Sequence, residues 1–288
     1  MLTKEVCLYE YFHLPKENGM SGKLTCWHAV TPISVSRKRQ RPAVLILPGG
    51  GYDHISERES EPIALQFMAR GYAAFSLDYS VAPNKFPTPL REAAMAMRYI
   101  RENAENYEIN PQMVAVVGFS AGGHLCGLLG TMFDCLEVSD LGNTNQLRPD
   151  ALGLCYPVAI NWGKTHDGTF ENLAKGDTPL KHRLSLDQLV RSDMPPVFLW
   201  HTRDDPVVPC RNSLVLSVAL EEAGVPFALH IYRHGPHGLS TANALAYASW
   251  EIPKISWDVP GWLAAEFCFL EEIGFKIIDA EHGESDFC

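Results

Sequence analysis

Ser120 stands in Gly118-Phe119-Ser120-Ala121-Gly122, a G-x-S-x-G spacing. The apolar, β-branched run Met113–Val117 precedes it and the helix-compatible run Gly123–Leu129 follows. A strand that turns sharply into a helix around such a pentapeptide presents a serine hydroxyl at the end of a sheet, on strained backbone. The flanking glycines allow a turn too tight for side chains. A hydroxyl there is a weak nucleophile at neutral pH. It needs a base within hydrogen-bond reach and a carboxylate to orient that base.

Both partners follow later in the chain, in the order serine, acid, histidine. After the apolar run Val197–Trp200 comes His201-Thr202-Arg203-Asp204-Asp205-Pro206-Val207-Val208-Pro209. After Phe227–Tyr232 comes His234-Gly235-Pro236-His237-Gly238. Each cluster lies at the carboxyl end of its strand, where α/β sheets place ligands. Asp205 is favoured over Asp204 as the acid, because the Pro-Val-Val-Pro turn would fix its direction. His237 is favoured as the base, because its glycine-flanked loop can reach back to Ser120. His234 reads as a strand-end residue with a local hydrogen bond. The H-x-x-H spacing of the two histidines lacks a third ligand nearby on a helix, so no metal is expected. His201 reads as bonding its own loop, His124 as packing on the helix after Ser120, and His166 and His182 as exposed.

Attack on a carbonyl also needs donors for the developing oxyanion. The Ala121 N–H, first after the serine, is one. The second should come from Gly50 or Gly51 in Pro48-Gly49-Gly50-Gly51-Tyr52, after the run Ala43–Leu47. A phosphate-cradling loop would carry a following Lys-Ser/Thr, which is missing. Tyr52, Trp162 and His166 are candidates for lining a substrate pocket.

The elements that must position these groups alternate along the chain. Runs at 43–47, 72–77, 113–117, 151–156, 197–200 and 227–232 are apolar on both faces, as buried parallel strands are. Leu8–His13 and Lys23–Val30 read as antiparallel strands at one edge. Helix-like stretches lie between, at Glu61–Arg70, Leu90–Asn106, Arg211–Ala223 and Gly261–Ile273. The reading is an α/β fold: a mostly parallel central sheet of about eight strands, flanked by helices on both faces, in one domain over 1–288. Residues 131–190 break the alternation and could cover part of a site. Ala93-Ala94-Met95-Ala96-Met97 reads as core, and Arg37-Lys38-Arg39-Gln40-Arg41 as a solvated loop.

A formal charge of −10 argues against nucleic acid or an anionic membrane as partner. No stretch approaches the ~20 apolar residues of a membrane span. Eight cysteines form no C-x-x-C pair, and Cys126, Cys155 and Cys268 read as small buried hydrophobes. With no leader-like segment at Met1–Val6, the expectation is a soluble cytoplasmic protein with free thiols. Monomer or homodimer is left open.

Five segments together resemble the α/β-hydrolase esterase/lipase group, and within it bacterial acetyl-xylan-esterase-like and sugar-ester hydrolases. They are Leu47–Tyr52, Asp78–Pro83, Gly118–Leu125, Leu199–Pro209 and Gly235–Leu239. Pro48 stands where many lipases of the broad group have the histidine of His-Gly-Gly-Gly, which separates this chain from the hormone-sensitive-lipase branch. The resemblance implies a small or absent lid, with Ser120, Asp205 and His237 as catalytic residues and Gly51 and Ala121 as oxyanion donors. It implies hydrolysis of short acyl esters, acetyl groups on carbohydrate foremost, with no cofactor. Arylformamidase-like cleavage of an N-formyl amide is the alternative, and a non-catalytic binding module the remote one.

Overall fold

A computed structural model describes residues 2–30, 39–247, 254–279 and 283–284. The chain opens with β1 (Leu2–Cys7), the single turn α1 (Leu8–Tyr11) and β2 (Lys23–His28). Then come β3 (Arg39–Leu47), α2 (Glu61–Ala69), β4 (Ala73–Asp78), α3 (Thr88–Glu102), β5 (Ile109–Phe119) and α4 (Ala121–Met132). A short α5 (Thr144–Leu147) leads into β6 (Ala151–Cys155), which is followed by α6 (Asp167–Ala174) and α7 (Thr178–Arg183). The chain continues through β7 (Val197–Thr202), α8 (Arg211–Glu222), β8 (Phe227–Tyr232) and α9 (Trp262–Glu272). Two-residue strands β9 (Ile278–Asp279) and β10 (Gly283–Glu284) form a small antiparallel pair attached to the start of β3.

Eight strands form the main sheet in the order β1-β2-β4-β3-β5-β6-β7-β8. The first two pairings are antiparallel and the rest parallel. Alternation along each central strand sends residues to two separate cores. Leu45, Leu47, Val116, Leu154 and Leu199 pack with α3, α4 and α8. Val44, Ile46, Val117, Phe198 and Trp200 pack with α2 and α9. Both faces are therefore covered, which is why these strands read as continuous apolar runs rather than alternating ones. The Ala93–Met97 stretch of α3 is core, each residue at most 1% exposed.

The expected strand at Leu8–His13 is a correction. The edge strand is β1, six residues earlier, and Leu8–Tyr11 is a helical turn whose Leu8 and Tyr9 are buried. Their inward packing gives them the apolar look of a strand. The basic cluster also differs from its expected loop, because β3 begins at Arg39 and Arg41 is buried against Glu108 at 2.6 Å. Arg37 and Lys38 lie outside the described residues. Cys268 is exposed on α9, not buried, while Cys126 and Cys155 are buried as expected. Among the described residues no helix is long and apolar enough to cross a membrane.

Candidate active site

Ser120 sits between the last residue of β5 and the first of α4, at φ 54° and ψ −115°. A non-glycine residue in that region costs roughly 1–3 kcal/mol, so the surroundings must enforce it. Three backbone bonds do so: Ser120 N–H to the Cys155 carbonyl at 3.0 Å, and the Ser120 carbonyl accepting from His124 and Val158 at 3.0 and 3.1 Å. Gly122 lets α4 dock against the end of β3, since a Cβ there would stand 2.0 Å from the Leu47 carbonyl oxygen.

The three chain-distant groups converge. Ser120 Oγ and His237 Nε2 are 2.8 Å apart, and His237 Nδ1 and Asp205 Oδ2 are 2.6 Å apart. Asp205 Oδ1 accepts from the Val207 and Val208 N–H groups, each at 2.9 Å. The turn after Asp205 thus aims its other oxygen at the imidazole. Burial would raise the pKa of this carboxyl. Hydrogen bonds from His201 and His237, with the charge those rings can carry, outweigh burial and hold it well below the usual carboxylate range.

Asp204 faces the other way. It accepts from the Gly235 N–H at 2.9 Å and pairs with His234 Nδ1 at 2.8 Å, in an exposed position. That pair pins the loop carrying His237, as does Thr202 Oγ1 donating to the Gly235 carbonyl at 2.7 Å. His201 is fully buried, bonded to the Val208 carbonyl at 2.8 Å and to Ser213 at 2.7 Å. His124 is equally buried, between Tyr52 and the Leu184 carbonyl, and burial lowers its pKa to about 4.

A cavity of about 350 Å³ opens over Ser120 and His237. Gly50 and Gly51 line one side, with φ of +123° and +64°. The loop's internal hydrogen bonds use the Gly49 N–H and the Gly49 and Gly50 carbonyls, leaving the Gly50 and Gly51 N–H groups out of them. Gly50 admits no side chain, because a Cβ would meet the His54 carbonyl oxygen at 2.0 Å.

Residues 131–190 contribute through α6 and the turn before it. His166 and Asn172 line the cavity, and Asn172 Nδ2 donates to the Gly51 carbonyl at 2.9 Å. His166 is half-buried, not exposed as expected, and burial followed by the charge of His237 lowers its pKa. Tyr52 and Trp162 are not brought into the cavity lining. Tyr52 is 1% exposed, with its hydroxyl against His124 Nδ1 at 3.0 Å. The Trp162 indole donates to Asp187 at 3.0 Å and is covered by Arg211.

Sequence reasoning missed Glu59. It is 2% exposed beside the cavity, with Oε2 accepting from the Gly49 N–H at 2.8 Å and Oε1 from the Tyr156 hydroxyl at 2.7 Å. Its stretch, Ser56-Glu57-Arg58-Glu59-Ser60-Glu61, has the composition of a solvated loop and carries no local signal of burial.

The arrangement joins a serine hydroxyl, an imidazole and a carboxylate in one hydrogen-bonded run at the cavity, with Gly50 and Gly51 at its edge. The chain is similar to known proteins in sequence and fold. A family model described as BD-FAE matches residues 33–149. The solved structure of an acetyl ester-xyloside bifunctional hydrolase from Caldicellulosiruptor lactoaceticus is 38% identical with a TM-score of 0.76, the match covering 88% of each chain. The chain belongs to the α/β-hydrolase family. Endo-1,4-beta-xylanase B of Butyrivibrio fibrisolvens is 37% identical over 76% of this chain and 36% of its own length. The acetylxylan esterase of Xylanibacter ruminicola is 29% identical over 77% of this chain and 45% of its own length. The matched part is thus less than half the length of either curated relative.

Proposed function

We propose that this protein is a serine carboxylester hydrolase that removes short acyl groups, acetyl foremost, from hydroxyl-rich alcohols such as sugars. The observation that carries the reading is the run of hydrogen bonds from Ser120 through His237 to Asp205, at 2.8 and 2.6 Å, on the floor of a cavity edged by Gly50 and Gly51. His237 Nε2 takes the Ser120 proton as Oγ attacks the ester carbonyl. The Ala121 N–H and that of Gly50 or Gly51 receive the oxyanion. The alkoxide leaves with the proton from His237, and water then enters by the same steps in reverse.

The cavity supports a small acyl group. Its lining includes Asp53, His54, Ser56, Arg58, His166 and Asn172, with Val207 supplying apolar surface, so it suits hydroxyl groups better than a long hydrocarbon chain. The names of the xylan-directed relatives support a carbohydrate alcohol. We place the enzyme in the cytoplasm on its thiol usage, where it would act on small acetylated saccharides.

The test is a panel of p-nitrophenyl acetate, butyrate and octanoate, acetylated xylo-oligosaccharides and N-formylkynurenine. The proposal expects kcat/KM to fall from acetate to octanoate and acetate to be released from the saccharides. A preference for N-formylkynurenine over every ester would overturn it in favour of amide cleavage.

A further inference from the structure

We propose that Glu59 is a positioning residue that sets the oxyanion loop against the two segments bearing the rest of the site; this rests on the esterase reading above. A carboxylate 2% exposed beside a site that must stabilise negative charge is costly unless its hydrogen bonds matter. Both of its oxygens are used. One holds the Gly49 N–H at 2.8 Å, which fixes the peptide before Gly50 and Gly51. The other accepts from the Tyr156 hydroxyl at 2.7 Å. Tyr156 follows β6, meets the His237 ring edge-on at 5.1 Å between centroids, and its oxygen accepts from the Ser240 N–H at 2.9 Å. Ser240 Oγ closes the circuit by donating to the Arg58 carbonyl. The oxyanion loop, the segment after β6 and the segment after His237 are therefore tied at one buried carboxylate. Gly49 leaves no room for an alternative, because a Cβ there would stand 2.8 Å from Glu59 Oε2 and 3.0 Å from Ser120 Cβ.

The role is to keep the Gly50 and Gly51 N–H groups directed at the developing oxyanion, so its loss should appear in kcat rather than in substrate affinity. The experiment measures phosphonylation of Ser120 by an ethoxy fluorophosphonate, together with kcat and KM on p-nitrophenyl acetate. In phosphonylation the Ser120 Oγ–P bond forms, the P–F bond breaks, fluoride leaves, and His237 takes the hydroxyl proton. Glu59→Ala should lower kcat and the phosphonylation rate about 100-fold, as loss of an oxyanion donor does. KM should stay within about 3-fold and the pH profile should not move, because the His237–Asp205 pair is intact.

Glu59→Gln should recover most of the rate, to within about 10-fold of wild type, since its carbonyl can accept from Gly49 and its amide can donate to Tyr156. Should Glu59→Ala not fold, Glu59→Asp keeps the carboxyl group but is too short to span both partners, and at least a 10-fold loss in kcat is expected. A wild type that takes up no phosphonate overturns the esterase reading and this proposal with it. A wild type that reacts, beside folded Ala or Asp variants reacting within about 3-fold of it, overturns this proposal alone.

Discussion

Replacing Asp205 by Asn should abolish turnover without unfolding the protein, and the reason lies in which oxygen does what. Oδ1 accepts two backbone N–H groups, from Val207 and Val208, and an Asn carbonyl oxygen can keep both. That leaves the Asn amino group facing His237 Nδ1, where the wild type has an acceptor 2.6 Å away. A donor there forces Nδ1 to accept, so the proton moves to Nε2 and points at Ser120. The imidazole is then in the wrong tautomer to act as base. The analogous change in another serine hydrolase costs about 10⁴ in kcat, equivalent to about 5 kcal/mol of transition-state stabilisation. Asp204→Asn should stay within about 5-fold, because its carbonyl oxygen can keep the Gly235 N–H bond that holds the His237 loop, and Asp204 makes no hydrogen bond to Ser120 or His237. The assay is kcat on p-nitrophenyl acetate, with circular dichroism to show that each variant is folded. The Asp205 carboxyl is held below its unfolded pKa, so the stability it contributes is full above about pH 4 and lost only as pH falls further. At pH 6–8 the wild type has that contribution in full and the Asn variant lacks it, so the circular dichroism is recorded at the pH of the assay. An Asp205→Asn enzyme retaining a tenth or more of wild-type kcat, or an Asp204→Asn enzyme falling to a tenth or less, would refute the reasoning.

Two further predictions concern the scaffold. Glu266 is fully buried in α9 and burial raises its pKa from 4.5 to about 8. The folded state thus holds this proton more tightly than the unfolded chain, and stability should fall as pH rises from about 4.5 to about 8, by up to roughly 5 kcal/mol. Urea melts of wild type and Glu266→Gln across that range should diverge with pH; parallel curves would contradict the assignment. Gly50→Ala should cut kcat by about 100-fold, because its Cβ would meet the His54 carbonyl oxygen at 2.0 Å from a backbone at φ +123° and displace the donor loop. A variant with near-normal kcat and unchanged Tm would show that the loop does not serve the oxyanion.

The elbow and both later loops were legible in the sequence because their chemistry is local. Glycines mark turns that no other residue fits, and Asp205 and His237 follow strands whose apolar runs are unambiguous. Preference for Asp205 over Asp204 followed from the turn after it, and the two valine N–H groups that hold Oδ1 belong to that turn. What the sequence hid depends on contacts across the fold. Leu8 and Tyr9 are apolar because a helical turn packs them inward, which at that length looks like a strand. Tyr52 adjoins the glycine loop in sequence, yet its hydroxyl is turned inward to His124. Trp162 follows β6 but lies against Arg211 and Asp187, outside the cavity lining. Glu59 reads as solvated because its neighbours are charged, and only Gly49 and Tyr156, 10 and 97 residues away, reveal it as buried.

The central claim is that Ser120 attacks a carbonyl whose oxygen is received by backbone N–H groups. A crystal structure of the protein after reaction with an ethoxy fluorophosphonate tests it most directly. The account predicts one phosphonyl group bonded to Ser120 Oγ, with its phosphoryl oxygen about 2.7–3.1 Å from the Ala121 nitrogen and from that of Gly50 or Gly51. A label on another residue, or a phosphoryl oxygen on Ser120 that turns to solvent away from both glycines, would contradict it.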